Sequence, residues 1–183
     1  MRHLRAILLL PGMVTVVVPA LLVWRDVLGG PHPGWGLGGP FVLLPMLLGL
    51  VILAIGLTLM ARTISLFARV GKGTLAPWDP TVRLVVRGVY RHVRNPMISG
   101  VLFVLLGEAV LLGSLAQLLW FGCFFGVNAV YLPLSEEPGL QRRFGADYAR
   151  YKAAVPRWVP RRTPWHAAGH AAGHAPERVP TDG

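Results

Sequence analysis

Charge is scarce in this sequence, and negative charge scarcer still. Charged residues make up 14% of its 183 positions, against about 25% in soluble domains. Eight residues are acidic and 18 are Lys or Arg. So few ionic side chains cannot cover the surface of an ordinary water-soluble domain. The sequence also has one cysteine, Cys123, inside an apolar run. A lone cysteine excludes an intrachain disulfide framework, and Cys123 reads as a small buried hydrophobe.

Apolar residues are abundant instead, at 54%. They lie in blocks, whereas a soluble core would spread them at period 2 or 3.6. The length suits one domain. Four segments can cross a hydrocarbon core, which takes about 20 apolar residues as helix. The first is 7–24, containing Pro11 and Pro19; the second is 41–61, with Pro45 in its first turn, where proline costs little. The stretch from 97 to 134 is too long for one span, and Gly113-Ser114 offers a tight turn, giving a hairpin of 97–112 and 115–134. The first segment could be a signal peptide, since Arg2 and Arg5 precede it. It is long for that role and no small-x-small cleavage site follows, so a retained helix is expected. The expected fold is all-α integral membrane: about four transmembrane helices and a cytosolic C-terminal amphipathic helix, within residues 1–162. Residues 163–183, rich in Pro, Gly, Ala and polar residues, read as a disordered tail.

The formal charge of +10 could point to nucleic acid, but it is confined to segments beside apolar blocks. That pattern fits an anionic membrane face and the positive-inside bias, and no nucleic-acid partner is expected. Arg62, Arg69, Lys72, Arg83, Arg87, Arg91 and Arg94 stand between the second and third spans against Asp79 alone. Arg142, Arg143, Arg150, Lys152, Arg157, Arg161 and Arg162 follow the fourth, and the hairpin turn carries no charge. Both termini and the middle loop are therefore expected in the cytosol. The short last hairpin then holds the middle loop and the C-terminal segment close together at the membrane surface.

Two motifs fall on that surface. The first, Gly88-Val89-Tyr90-Arg91-His92-Val93-Arg94-Asn95-Pro96-Met97-Ile98-Ser99-Gly100, leads into the third span. Asn95-Pro96 is a helix-start signal, with Asn able to cap free amides and Pro pre-organised for the first turn. A helix start beside arginines suits a carboxylate or phosphate. Gly100, one turn inside, permits close approach of a backbone or a ligand. The plain alternative is a capped helix with a positive-inside anchor. The second motif follows the fourth span: Glu136-Glu137-Pro138-Gly139-Leu140, then Phe144-Gly145, Tyr148, Tyr151 and Val155-Pro156-Arg157-Trp158-Val159-Pro160. Phe144, Tyr148 and Tyr151 share one helical face, which could simply lie in the interface. The glutamates can accept from a ribose diol or an ammonium group, or stand as solvated charges. Glu108 is an ionisable group deep inside a span, where a carboxylate is costly. Its candidate partners are Asn128, Gln117 or backbone groups, and a substrate role and a protonated structural role are both open.

At these residues the sequence resembles the isoprenylcysteine carboxyl methyltransferase family, within the wider group of membrane phospholipid methyltransferases. Gly88-x-Tyr90 and Arg94-Asn95-Pro96-x-x-x-Gly100 resemble that family's Gly-x-Tyr and Arg-His-Pro-x-Tyr-x-Gly. Glu136-Glu137, Leu140, Phe144-Gly145, Tyr148, Tyr151 and Val155-Pro156 match its C-terminal signature in order and spacing. Residues 73–80 and Leu84-Val85 look like bacterial members, which implies a bacterial inner membrane. Asn95 and Ile98 depart from the family's usual His and Tyr.

The resemblance implies S-adenosylmethionine as cofactor, bound by C-terminal segments, and a lipophilic or small methyl acceptor drawn from the bilayer. The absence of a Gly-rich Rossmann fingerprint is then no objection. It further implies a cofactor site of Tyr90, His92, Arg94, Asn95, Pro96 and Gly100 with Glu136, Glu137, Tyr148 and Tyr151. Arg94 or His92 would meet the methionyl carboxylate and a glutamate the ribose or amino group. Arg157 and Glu108 are the candidates for a role toward the acceptor. No metal is required by a sulfonium donor. Two rival readings stand beside this one: a non-catalytic membrane module that binds lipid or a partner, and an NADPH-dependent membrane reductase. His166, His170 and His174 recur every four residues and could bind a metal on a helix. Gly169 and Gly173 oppose a helix there, so the pattern reads as incidental.

Overall fold

The computed structural model describes residues 11–29, 34–70, 84 and 86–166. Every regular element among them is helical. A π-helical turn, Met13–Val17, leads into α1, Val18–Gly29. A 3₁₀ turn, Gly39–Val42, opens α2, Leu43–Val70. After a 3₁₀ turn at Gly88–Arg91 come α3, Pro96–Leu112, and α4, Leu115–Tyr131. A second π-helical turn, Leu132–Glu136, joins α4 to α5, Glu137–Ala154. Arg2, Arg5, residues 7–10 of the first expected span, residues 73–80 with Lys72, Arg83 and Val85, and the tail histidines His170 and His174 lie outside the described residues.

Two helical stretches, Gly39–Leu66 and Leu115–Ala154, are long and apolar enough to cross a membrane, and Pro96–Leu112 is a shorter apolar helix. Along α2 and the turn that opens it the outward side chains are large and apolar: Phe41 is 73% and Leu44 74% exposed. Water would not tolerate that surface; hydrocarbon does. At 1.5 Å per residue α2 is about 42 Å long, more than the roughly 30 Å hydrocarbon core. The helix continues past the expected boundary at residue 61 and carries Arg62 and Ser65 in its second half.

α2 and α3 run antiparallel with their backbones nearly touching. A Cβ at Gly49 would lie 2.6 Å from the Leu111 amide nitrogen, and one at Gly107 the same distance from that of Leu53. One at Gly56 would meet Val104 nitrogen at 2.6 Å and Gly100 oxygen at 2.7 Å. Each helix thus presents glycines seven residues apart to its partner, the small-residue packing that replaces hydrophobic driving force inside a bilayer. At Gly100 an added Cβ would lie 2.6 Å from the Met60 side chain and 3.1 Å from the Gly56 oxygen, so α2 occupies the space beside it. Val101, Leu102, Val104, Leu105 and Ala109 bury the rest of α3, which explains an apolar helix with no polar stripe.

The hairpin turns where expected. Gly113 adopts φ 60°, ψ 34°, a conformation glycine reaches without strain. The Ser114 hydroxyl accepts from the Gln117 amide and caps α4. The same hydroxyl donates to Asp26 at 3.0 Å. Asp26 is buried and paired with Arg25 at 2.7 Å. Both belong to α1, which runs past residue 24, the expected end of the first span, as Asp26 is buried against Ser114. Gln117 Nε2 donates to Pro19 oxygen and Trp120 Nε1 to Val14 oxygen. Trp35 Nε1 donates 2.7 Å to the Val110 carbonyl, one of the groups the end of α3 leaves open.

Three expectations need correction. Gln117 and Asn128 do not pair with Glu108: Asn128 donates to Phe124 oxygen one turn back, and Glu108 Oε2 is buried without a partner. Cys123 is exposed, since α4 presents most of its girth outward. The C-terminal helix is not a separate element: it continues from α4 and breaks only at Gly145, φ 51°, ψ −126°.

Candidate functional site

The two motifs meet at one end of the bundle. Pro96 starts α3 as expected, but the Asn95 side chain makes no capping bond. Its carbonyl accepts from the Ser99 amide at 2.8 Å. With no hydrogen bond among the described residues, the carboxamide remains available to a ligand.

Residues beyond α5 fold back beside the first motif and pair with its backbone. Arg94 nitrogen donates to Pro156 oxygen, Arg161 nitrogen to His92 oxygen and Trp165 nitrogen to Arg91 oxygen, each at 2.9 Å. The pairs run in opposite directions along the two segments, like a short antiparallel clasp. The Tyr151 hydroxyl donates 2.7 Å to Tyr90 oxygen. Arg91 Nε reaches Trp165 oxygen at 2.9 Å, and Arg161 Nη1 reaches Ala154 oxygen at 2.9 Å. Beneath the clasp Tyr148, Tyr151 and Val155 form a buried cluster with Leu140, Phe144 and Trp165 against it. The kink at Gly145 lets Phe144 join this cluster although the helix does not run straight through it. Folded structure thus continues past the domain boundary expected at Arg162.

Glu137 is the electrostatic centre. Arg94 Nη1 lies 2.9 Å from its Oε1, Arg157 Nη2 2.7 Å from the same oxygen, and Lys152 Nζ 2.8 Å from Oε2. Burial by itself would raise the Glu137 carboxyl; Lys152, Arg94 and Arg157 together outweigh it and hold the group below its ordinary value of 4.5. Glu136 is the opposite case. It is exposed, yet desolvation by the surrounding chain, and then the charge of Glu137, push its carboxyl upward. Among the described residues Glu136 has no cation, while Glu137 has three. Burial also raises the phenols of Tyr90, Tyr148 and Tyr151, so all three remain hydroxyl donors.

The structure therefore brings together Tyr90, Arg94, Glu137, Tyr148, Tyr151 and Arg157, with Asn95, Pro96 and Glu136 adjacent in sequence. It does not bring Glu108 there. Twelve residues into α3, Glu108 lies about 18 Å along the helix from Pro96. Arg157 is committed to Glu137 and rests over the Trp158 ring, 5.9 Å from its centroid. His92 joins through its backbone, while its ring faces elsewhere: Nδ1 is 2.8 Å from Arg161 oxygen.

His92 is among the residues lining two cavities. One, about 570 Å³, is bounded by Ala61, Arg62, Ser65, Leu66, Gly88, Val89, Arg91, His92 and Pro164. The other, about 480 Å³, runs along α2 past Val51, Ala54, Ile55, Thr58 and Leu59 to Arg62, Val89, His92 and Pro160. Both fall in the range of small-molecule sites. Sequence reasoning missed Arg62, Ser65 and Lys152 as contributors. Arg62 carried a signal, being the first cation after the apolar run of α2; Lys152 carried none.

Among the described residues the protein is all-helical, with two apolar helical stretches of membrane length and the two motifs gathered at one end. A phospholipid methyltransferase family model matches residues 44–147, and the chain belongs to that family, a family of membrane methyltransferases. The matched stretch runs from the start of α2 into α5, taking in the first motif and both glutamates but ending before Tyr148. No curated protein matches the chain.

Proposed function

We propose that the protein transfers a methyl group from S-adenosylmethionine to a lipophilic or small acceptor at the cytosolic face of a bacterial inner membrane. The finer resemblance is to isoprenylcysteine carboxyl methyltransferases. Four helices, α1 to α4 with the residues leading into them, would span the bilayer. Both termini and the composite site would face the cytosol, because Arg62, Arg91, Arg94, Arg157 and Arg161 gather at one end while Trp35 and the uncharged hairpin turn mark the other.

The observation that carries the reading is the clasp joining the two motifs, together with the groups it leaves unsatisfied. Among the described residues Arg91 Nη2 and Arg94 Nε are buried without partners, the Asn95 carboxamide makes no hydrogen bond, and the Glu136 carboxyl has no cation. Donors for a carboxylate and one acceptor for an ammonium or a diol suit a zwitterionic nucleoside, so the residues present fit the cofactor. Arg91, Arg94 and Asn95 would hold its carboxylate end and Glu136 its amino or ribose groups. Tyr90, Tyr148 and Tyr151 would form the wall beneath, with Glu137 as the brace that keeps Arg94 in place. When bound, the cofactor supplies an activated methyl on a sulfonium, and the protein's contribution is position and electrostatics.

Titration of the purified, detergent-solubilised protein with S-adenosylmethionine and S-adenosylhomocysteine tests this. Saturable binding is expected, weakened at least tenfold by Glu136→Ala and by Asn95→Ala. If neither compound binds and neither substitution changes anything, the methyltransferase reading is wrong and a lipid-binding module takes its place.

A further inference from the structure

A hydroxyl in an apolar helix ordinarily bonds to the carbonyl one turn back. Thr15, Thr58 and Thr63 do so, each donating at 2.7 Å to the oxygens of Pro11, Ala54 and Leu59. Ser99 does not. It is 1% exposed, and its Oγ has no hydrogen-bond partner among the described residues. The carbonyl one turn back, that of Asn95, accepts from the Ser99 amide instead. A buried hydroxyl left unpaired is destabilising and calls for an explanation. The rest of the first turn of α3 has the same character. The Asn95 side chain does not cap it, and Pro96 has no N–H. With the Ser99 amide taken, the amides of Met97 and Ile98 are the open donors of the helix start, and no acceptor meets them among the described residues. Met97 and Ile98 are half-buried, with Ser99 beneath them. Cα–Cβ bonds in an α-helix tilt toward its N-terminus, so the Ser99 side chain leans over that same turn. Arg94, which precedes Asn95, has a buried Nε without a partner among the described residues. Arg94, Lys152 and Arg157 gather on Glu137, so the surroundings stay positive even with Glu136 counted. Amides, a hydroxyl and a guanidinium are all donors here, and an anionic oxygen at the helix start is the group that completes them.

We infer that Ser99 is a further binding residue, and that its hydroxyl, with the amides of Met97 and Ile98, receives a carboxylate at the start of α3. The inference rests on the methyltransferase reading above and deepens it: the carboxylate is the one at the amino-acid end of S-adenosylmethionine. Ser99 takes no part in bond making. It fixes one end of the donor, so that the sulfonium occupies one place. The hydroxyl that costs stability in the free protein is then the one that the ligand satisfies.

The test uses the full chain in detergent and two probes, S-adenosylhomocysteine and its decarboxylated analogue, which keeps the amine and lacks only the carboxylate. The wild type is expected to prefer S-adenosylhomocysteine. Ser99→Ala should weaken that ligand by about tenfold or more, the size of one hydrogen bond to a charged group. Its affinity for the analogue should stay within about threefold of wild type. Because the hydroxyl has no partner in the free protein, Ser99→Ala should leave the melting temperature unchanged or raise it. The further rise produced by a fixed concentration of S-adenosylhomocysteine should shrink. A serine with a purely structural bond would show the opposite pair of effects. Equal weakening of both probes, unchanged affinity for S-adenosylhomocysteine, or a lowered melting temperature of the free variant would each overturn the inference. A wild type that binds neither probe removes the methyltransferase reading and this inference with it. Wild-type binding with an unchanged Ser99→Ala removes the inference alone, so the two failures are distinguishable.

Discussion

The adjacent glutamates show how much a single position decides. Glu137 points inward to three cations, whereas Glu136 points out to none. Removing Glu137 strands Arg94 among buried groups, so Glu137→Gln should cost on the order of 3 kcal/mol, read as a lowered melting temperature in detergent. The pH dependence follows from the direction of its shift. A carboxyl held below its ordinary 4.5 in the folded protein contributes stability that is complete above that value and is lost as pH falls through the lower folded one. Melting curves from pH 7 down to pH 3 should show this acid limb, and Glu137→Gln should flatten it. Glu136 has the reverse sign: its folded carboxyl is raised, so ionisation costs stability as pH rises from the unfolded value through the folded one. Glu136→Gln should therefore leave the free protein as stable at pH 7, or slightly more so, while losing cofactor affinity. Strain retained at a binding position in this way is common where function opposes stability. Neither spacing nor composition separates these two residues. The difference comes from which one α5 turns toward the clasp.

At the scale of elements, the glycines of α2 and α3 set the architecture. Gly107→Ala would place a methyl 2.6 Å from the Leu53 backbone, and backbone cannot yield as a side-chain tip does. A loss of about 1–3 kcal/mol is expected, measured by thermal or denaturant unfolding in micelles. Gly122 on α4 has nothing within 4 Å of the same position, so Gly122→Ala should be neutral or stabilise by up to about 1 kcal/mol through helix propensity. The pair makes a controlled comparison, since the chemistry is identical and only the neighbour differs. At the hairpin, Ser114→Ala removes both the α4 cap and one of the two partners of buried Asp26, with about 1 kcal/mol expected from the cap alone. The turn itself was legible from Gly113-Ser114, and Pro96 marked the start of α3. The seven-residue glycine spacing was present in the sequence as well, but its meaning depends on a partner helix that carries the same spacing in the opposite direction. Asn95 shows the limit of a local signal: it stands at the helix start without capping it, and its amide is left for other work.

For the whole molecule, the gathered cations predict one orientation, with their end of the bundle in the cytosol. Cys123→Ala supplies a cysteine-free background, and Thr163→Cys in it should react with a membrane-impermeant thiol reagent only after inverted vesicles are formed or cells are opened. Labelling in intact cells would reverse the topology. Cofactor binding should also raise the melting temperature in proportion to the logarithm of its concentration above the dissociation constant.

The sequence by itself determined the class: apolar blocks with one-sided charge require helices in lipid, and residues 90–100 and 136–160 had to lie on the same side. Those are consequences of solvent and connectivity, which composition and order carry. Only the tertiary structure decided which atoms meet. It assigned Arg94, Lys152 and Arg157 to Glu137, left Glu136 and Asn95 without a side-chain partner among the described residues, kept Glu108 far along α3, and put His92 beside two cavities next to α2. These are facts of direction and distance, fixed by glycine contacts between helices and by a backbone clasp whose partners are some 60 to 75 residues apart in the chain, beyond the reach of any local pattern.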